Sequence, residues 1–494
     1  MHKYTFFFLS ISLLLFSCKK DTGKINPTKL LYAKKGTDAG IYDQDGRFII
    51  LRGVNYNVLG DYWQANPTVA TQKQYEENDL KLMSKYGINC IRLLFSWSKL
   101  EPQKGNYNQA YIQEIKDVIE TAAKYNIYVM LDMHQDAYGK YIASPVSEAC
   151  DKPNKGWDGA PDWATITDGA STCTTDGSRE SAPAVVQAFE NFWNNKNGMQ
   201  DACINAWSTL VKQTAGYANV VGYDLINEPG LGNESLAEES DKLTLFYKKT
   251  ISSIRDAENQ SNSFHHIIFF EISVTWNGQP FPFVTAADFT TDDNIVFGAH
   301  SYFEAISYAY TIEGGYDFLY DIANYYKSAM FMGEYGFFDN PVTDAAKMKR
   351  FAKKEDEYFT GSTFWQWSQA PGDPHGISWD GTQYSNTSLH LIELNKDGIY
   401  TGNNNEHFLN VLSRTRPNAI CGKPIKLISN PDDGTMELQA NTTKEGTAVL
   451  WIPNRFSTPI ITGTNIVSSE LKTVDGGYLA SVKVNGNYKI VVGF

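Results

Sequence analysis

Between about residue 46 and residue 370 the chain alternates short, almost wholly apolar stretches with longer segments of helical periodicity. Eight stretches of the first kind stand out: Phe48–Asn55, Asn89–Phe95, Tyr128–His134, Val220–Asn227, His265–Ile272, Ile295–Ser301, Met330–Glu334 and Ser362–Trp367. Each is short and rich in β-branched or aromatic residues, which is how a parallel strand buried on both faces reads. Helical spacing fills the gaps, as in Gln74–Tyr86, Gln109–Tyr125, Asp201–Ala215 and Glu238–Ala257. Eight such repeats predict an α/β fold, a (β/α)8 TIM barrel, over residues 31–410. After Ser368 the pattern changes, and Arg414-Thr415-Arg416-Pro417 marks a boundary. Residues 411–494 then give short alternating strands such as Met436–Ala440, Ala448–Ile452 and Tyr488–Val492, with Asn/Gly turns between them. That pattern predicts a small C-terminal β-sandwich.

Polar and charged residues gather where the apolar stretches end. Arg92 lies in the second, and Asp132, His134 and Asp136 close the third. Asn227 and Glu228 close the fourth, His300 and Tyr302 the sixth, Glu334 the seventh, and Trp365 and Trp367 the eighth. In a barrel all these ends converge on one face, where active sites lie. The segment from Gly139 to about Ser181 is too long for a plain connection. It is expected to shape the rim of a cleft, the alternative being a surface insertion stapled by a disulfide.

Glu228 and Glu334 each end an apolar strand, and Pro229 stops the first of these because it has no N–H for a ladder. Two carboxyls facing each other across a cleft are what hydrolysis of a glycosidic bond requires, one protonated and one ionised. Arg92 and Tyr302 are expected to donate to Glu334 and keep it anionic as nucleophile. Glu228 then has the higher pKa and serves as acid/base, while the Asn227 amide bonds the sugar 2-hydroxyl. His134 takes a positioning role. Trp365 is the expected sugar platform, with Trp367 as the second choice. The structural alternative makes each Glu a rim ion-pair partner, but it does not explain the whole polar set. Two carboxylates suffice for this chemistry, so no metal and no organic cofactor is expected, and no His/Cys spacing suggests a zinc site.

Asn227-Glu228-Pro229 and Gly333-Glu334-Tyr335-Gly336 resemble the acid/base and nucleophile motifs of glycoside hydrolase family 5. Arg92, His134, His300, Tyr302 and Trp365 fall where that family has its Arg, His, His, Tyr and Trp. The resemblance covers roughly residues 40–370 and implies retention through a covalent glycosyl-enzyme. Leu131-Asp132-Met133-His134-Gln135-Asp136, Leu51-Arg52-Gly53-Val54-Asn55 and Ile91-Arg92-Leu93-Leu94-Phe95-Ser96-Trp97 are closer to the endoglycoceramidase-like members. So is the C-terminal sandwich entered through Arg416-Pro417. This likeness implies that His134 and Asp136 bind the first sugar, and that glycosphingolipids are cut between glycan and ceramide. At the eighth stretch, Phe364-Trp365-Gln366-Trp367-Ser368 stands where those enzymes more often have Trp-Ser-Tyr. Glucosylceramide, galactosyl lipids and steryl glucosides therefore stay open as substrates.

The N-terminus bears on location. A charged start and an apolar run from Tyr4 to Phe16 read as a signal peptide over residues 1–17. Leu15-Phe16-Ser17-Cys18 resembles a bacterial lipobox, which implies lipidation of Cys18 and a polar tether over residues 18–30. The expected location, after signal-peptide cleavage, is the bacterial cell envelope, lipid-anchored to the outer membrane on its periplasmic or surface face; the alternative is an ordinary secretory signal. An oxidising compartment permits disulfides, and Cys150 with Cys173 in one loop is the expected pair, Cys90 being a core thiol. A net charge of −13 without a basic cluster argues against nucleic acid as a partner. The expected partners are a glycosphingolipid or other β-glycoside and, through the anchor, a membrane, with the chain a monomer. The rival enzyme readings are a β-glucosylceramidase and an endo-β-1,4-glucanase. A non-catalytic glycan-binding lipoprotein is the rival of another class, and it predicts loss of at least one carboxylate.

Overall fold

A computed structural model describes residues 29–273, 286–384 and 390–494. The signal peptide, Cys18 and residues 18–28 of the tether lie outside the described residues. Eight parallel strands close into a barrel: Arg52–Leu59, Cys90–Ser96, Tyr128–His134, Val220–Asp224, Ile267–Phe270, Ile295–Ser301, Ala329–Tyr335 and Gly361–Phe364. Their order around the barrel follows the sequence, and the eighth pairs with the first. Nearly every strand residue is buried, as the apolar pattern predicts. The first two strands approach at Gly53, where a Cβ would lie 2.2 Å from the Cys90 carbonyl oxygen.

The crossover helices form where apolar spacing and capping agree. Gln109–Lys124 buries Ile112, Ile115, Val118, Ile119 and Ala122 along one face, and the Asn108 side chain caps it by accepting from the Tyr111 N–H. Leu236–Gln260 starts with a capping box between Ser235 and Glu238. Among the described residues no helix is long and apolar enough to cross a membrane.

The C-terminal part is an antiparallel sheet dominated by three long strands, Met436–Pro453, Ile460–Val474 and Gly477–Gly493. It has a core of its own around Leu438, Leu450, Val482 and Ile490. The segment placed with the barrel from residue 31 divides differently. Leu31–Lys34, Gly40–Asp43 and Phe48–Ile49 join the C-terminal sheet, where Phe48 pairs with Ile420 of Arg416–Ile420. The predicted strand Phe48–Asn55 thus splits between two sheets. Its apolar run is continuous across the break, so hydrophobicity alone does not reveal the change. Leu31, Ala33, Ile41 and Ile49 pack with Met130, Val221, Ile267 and Phe331 from the barrel, so the N-terminal hairpin closes the mouth where the strands begin. Beside it, Arg414 pairs with Glu355 at 2.7 Å and Asp356 at 2.9 Å, tying the C-terminal sheet to helix Pro341–Tyr358. The opposite mouth, where the strands end, stays open.

Candidate active site

A cavity of about 720 Å³ opens at the strand ends, lined by His134, Asp136, Glu228, Tyr302, Glu334 and Trp365 among others. The structure brings together the predicted set, Trp367 apart, around two carboxylates. Arg92 Nη1 donates to Glu334 Oε1 at 2.8 Å, and the Tyr302 hydroxyl donates to Glu334 Oε2 at 2.7 Å. His300 Nδ1 lies 2.9 Å from Glu228 Oε1 and 3.6 Å from Glu334 Oε2, so one imidazole nitrogen faces both. Glu228 adopts φ 37°, a left-handed backbone at the point where Pro229 turns the chain out of the barrel.

Three of the predicted residues stand behind the cavity wall. Arg92, Asn227 and His300 are 0%, 1% and 2% exposed. The Asn227 amide oxygen accepts from Arg92 Nη2 at 2.8 Å, and its nitrogen donates to the Gln135 carbonyl at 3.0 Å. One of its two N–H donors and one of its two oxygen lone pairs are thereby engaged by the protein. His134 Nδ1 bonds Asp132 Oδ2 at 2.8 Å, and its ring stacks on Trp365 at 5.5 Å between centroids, which orients the indole. Trp367 is fully buried in the barrel core, which removes it as the alternative platform.

The long segment after the third strand does form the rim. Cys150 and Cys173 are joined by a disulfide within it, and Cys90 is a buried free thiol. The same segment delivers Arg179, which the sequence reading missed. Its Nη2 lies 2.6 Å from Asp136 Oδ1 and 3.6 Å from Glu228 Oε2, with the guanidinium over the Trp157 ring at 4.4 Å. No local signal marks one arginine in a polar loop. Glu271 was missed as well, although a carboxylate ending the apolar stretch Ile267–Phe270 repeats the pattern of Glu228 and Glu334. It lies 3.1 Å from Arg92 Nη2 and 3.3 Å from His300 Nε2. Asp132 at 3.1 Å and Asp224 at 2.8 Å complete the ring of carboxylates around Arg92.

The shifts of the two glutamates run opposite to the order expected from the sequence. Burial pushes Glu228 upward, but the His300 bond and the charges of His300 and Arg179 outweigh it and hold the carboxyl below its ordinary value. At Glu334 burial is the larger influence, and it exceeds the opposing charges of His300 and Arg92, so this carboxyl is raised. Burial opposes the charged form of His300, yet Glu271, Glu334 and the bond to Glu228 raise it well above an ordinary histidine. His134 is lifted to about 10, since Asp132 and Asp136 outweigh burial. Asp136 is held well below the usual carboxylate range, because Arg179, His134 and His375 overcome its burial.

Glu228, His300 and Glu334 present ligand atoms within 4.8 Å of one another. The His300 nitrogens are turned to Glu228 and Glu271, at 2.9 Å and 3.3 Å. The constellation is a hydrogen-bonded carboxylate pair, suited to acid–base and nucleophilic work.

The family model of the cellulases of glycosyl hydrolase family 5 matches residues 43–371. An endoglycoceramidase of Cyanea nozakii is 29% identical over 270 residues, covering 48% of this chain and 50% of its own length. Endoglycoceramidase I of Rhodococcus hoagii is 28% identical over 274 residues, covering 53% of this chain and 51% of its own. The chain thus spans about half the length of these curated relatives. A crystal structure of an endogalactoceramidase superposes with a TM-score of 0.84 and 32% identity, covering 93% of this chain and 99% of that one.

Proposed function

The chain belongs to glycosyl hydrolase family 5, and we propose that it hydrolyses the bond between the glycan and the ceramide of glycosphingolipids, releasing both intact. The observation that carries this reading is the division of the cavity lining. Asp136, Lys155, Trp157, Arg179 and His375 supply polar and aromatic groups suited to sugar hydroxyls, whereas Ile306 and Phe338, from the loops after the sixth and seventh strands, supply apolar surface. Ile306 is 64% exposed and the nearby Tyr308 75%. This apolar side of the cleft is suited to a lipid aglycone. The relatives named as acting on ceramide glycosides support the same assignment.

Glu334 acts as nucleophile and Glu228 as acid/base. A carboxylate oxygen of each lies within 4.8 Å of the other, which favours retention over inversion, where a water must fit between them. Glu228 must carry the proton and Glu334 must be ionised when the sugar is bound. His300 Nδ1, 2.9 Å from Glu228 Oε1 and 3.6 Å from Glu334 Oε2, is placed to orient the pair. Attack by Glu334 on the anomeric carbon then expels the ceramide oxygen, which takes the Glu228 proton. Water deprotonated by Glu228 releases the glycan. Both carboxylates are present with their supporting residues, which disfavours a non-catalytic glycan-binding role. The lipobox-like Leu15-Phe16-Ser17-Cys18 supports attachment to the cell envelope through lipid on Cys18.

The test is hydrolysis in detergent of a ganglioside, a galactosyl-linked and a glucosyl-linked ceramide glycoside, and a cello-oligosaccharide. Wild type and Glu334→Gln are compared. Intact glycan and ceramide from the wild type alone are expected. Cleavage of the cello-oligosaccharide only would overturn the substrate class and keep the site. Equal activity in the variant would overturn the site.

A further inference from the structure

We infer that Glu271 is a positioning residue of this hydrolysis, acting on Glu228 from behind the cavity wall through both the Glu228 main chain and the His300 ring. The inference rests on the acid/base role proposed above for Glu228. Glu271 is 2% exposed and does not line the cavity, so it cannot touch substrate. Its Oε2 accepts the Glu228 backbone N–H at 2.9 Å. That bond fastens the residue whose φ of 37° lies in the left-handed region, a conformation that costs a glutamate energy and must be held by its surroundings. Its Oε1 lies 3.3 Å from His300 Nε2, while His300 Nδ1 contacts Glu228 Oε1 at 2.9 Å. One carboxylate therefore reaches Glu228 twice, once through the peptide and once through a single imidazole.

The surroundings are shaped for this arrangement. Gly333 leaves room for the ring, since a Cβ there would stand 2.9 Å from His300 Nε2. The Tyr247 hydroxyl holds the Glu271 carbonyl at 2.9 Å. The charged groups facing His300 are Glu271, Glu228, Glu334 and Asp224, with Arg92 behind Glu271 at 3.1 Å. A ring with a carboxylate at each nitrogen keeps both protons. Nδ1 then donates to Glu228 Oε1, and Oε2 is the oxygen on the side of Arg179.

The experiment compares wild type, Glu271→Gln and Glu271→Asp in two measurements. One is kcat/KM for an alkyl and a 2,4-dinitrophenyl β-glycoside of the same glycan; the second needs no proton from the acid. The other is the pH titration of His300 by ¹⁵N-histidine NMR. Glu271→Gln is expected to lower kcat/KM for the alkyl glycoside at least about tenfold more than for the dinitrophenyl one. It is also expected to let His300 lose its proton at lower pH, and Glu271→Asp is expected to restore that titration. Equal loss on both glycosides with an unmoved His300 would overturn the inference and make Glu271 a packing residue. If the wild type turns over neither glycoside, the glycosidase reading falls, and the His300 titration alone decides whether Glu271 governs the ring.

Discussion

Two buried ion clusters lie at opposite ends of the barrel, and their charge balance differs. At the strand ends one arginine, Arg92, faces four carboxylates, Asp132, Asp224, Glu271 and Glu334. Near the strand starts, at the joint with the C-terminal sheet, Arg52, Arg414 and Arg416 share two, Glu355 and Asp356. The first cluster has more carboxylates than arginines, includes His134 and His300 as well, and opens on a cavity. Its proton affinities are pushed apart, with Asp224 raised well above a normal carboxylate, chiefly by burial. The second is closed, and burial and the neighbouring arginines lower Arg416. Unbalanced charge beside a cavity leaves protons to be moved, which is what acid–base catalysis needs. Unbalanced charge in a closed joint serves to fasten one surface to another.

That contrast predicts that substitutions at the open end change turnover and those at the closed end change stability. Glu334→Gln is expected to lower kcat on the order of 10⁴- to 10⁶-fold, with the melting temperature kept or raised because one of the crowded anions is gone. Steady-state kinetics and calorimetry on the same sample check this, and a large loss of stability would erase the contrast. Glu228→Ala is expected to lower kcat by about 10²- to 10⁴-fold on a lipid glycoside. Added azide should rescue an activated substrate and give a β-glycosyl azide, as retention requires; an α-product or no rescue would argue against the assigned roles.

The reverse holds at the joint. Arg414→Met leaves Glu355 and Asp356 with less compensation in a buried place, at a cost of about 3–5 kcal/mol. Denaturant unfolding should show it, while kcat/KM in the folded range stays near wild type. The smallest effect concerns His375 on the cavity rim. Burial opposes its charged form, but Asp373 and Asp136 raise it from 6.5 to about 9. A histidine raised in the folded state stabilises fully below its unfolded pKa, and that contribution is lost as the pH climbs through the folded one. Wild type should therefore lose melting temperature between about pH 6.5 and pH 9 relative to His375→Gln. Parallel curves for the two proteins would remove His375 from the cluster.

Much of the barrel was legible because a parallel strand buried on both faces must be apolar. The sixth strand, Ile295–Ser301, and the third, Tyr128–His134, were read to the residue. The charged residues that end such strands stand out for the same reason, and Glu228 and Glu334 were visible on that ground. Glu271 carried the same mark and went unread, because no surrounding motif drew attention to it. Arg179 carried no mark, since only the folded loop brings it to Asp136. The proton order of the two glutamates was misread because it depends on His300 and Arg179 standing against Glu228, and neither position follows from spacing.

Local pattern by itself determined the strands, the helices between them, and which polar residues meet at the open end of the barrel. These follow from burial and periodicity, which each residue carries with it. Tertiary structure alone decided that residues 31–49 extend the C-terminal sheet, that Asn227 bonds Arg92 and the Gln135 carbonyl, and that His300 and Arg179 lower Glu228 while burial raises Glu334. Strand pairing across hundreds of residues and the electrostatics of a desolvated pocket are set by distances between atoms, and those distances exist only once the chain has closed on itself.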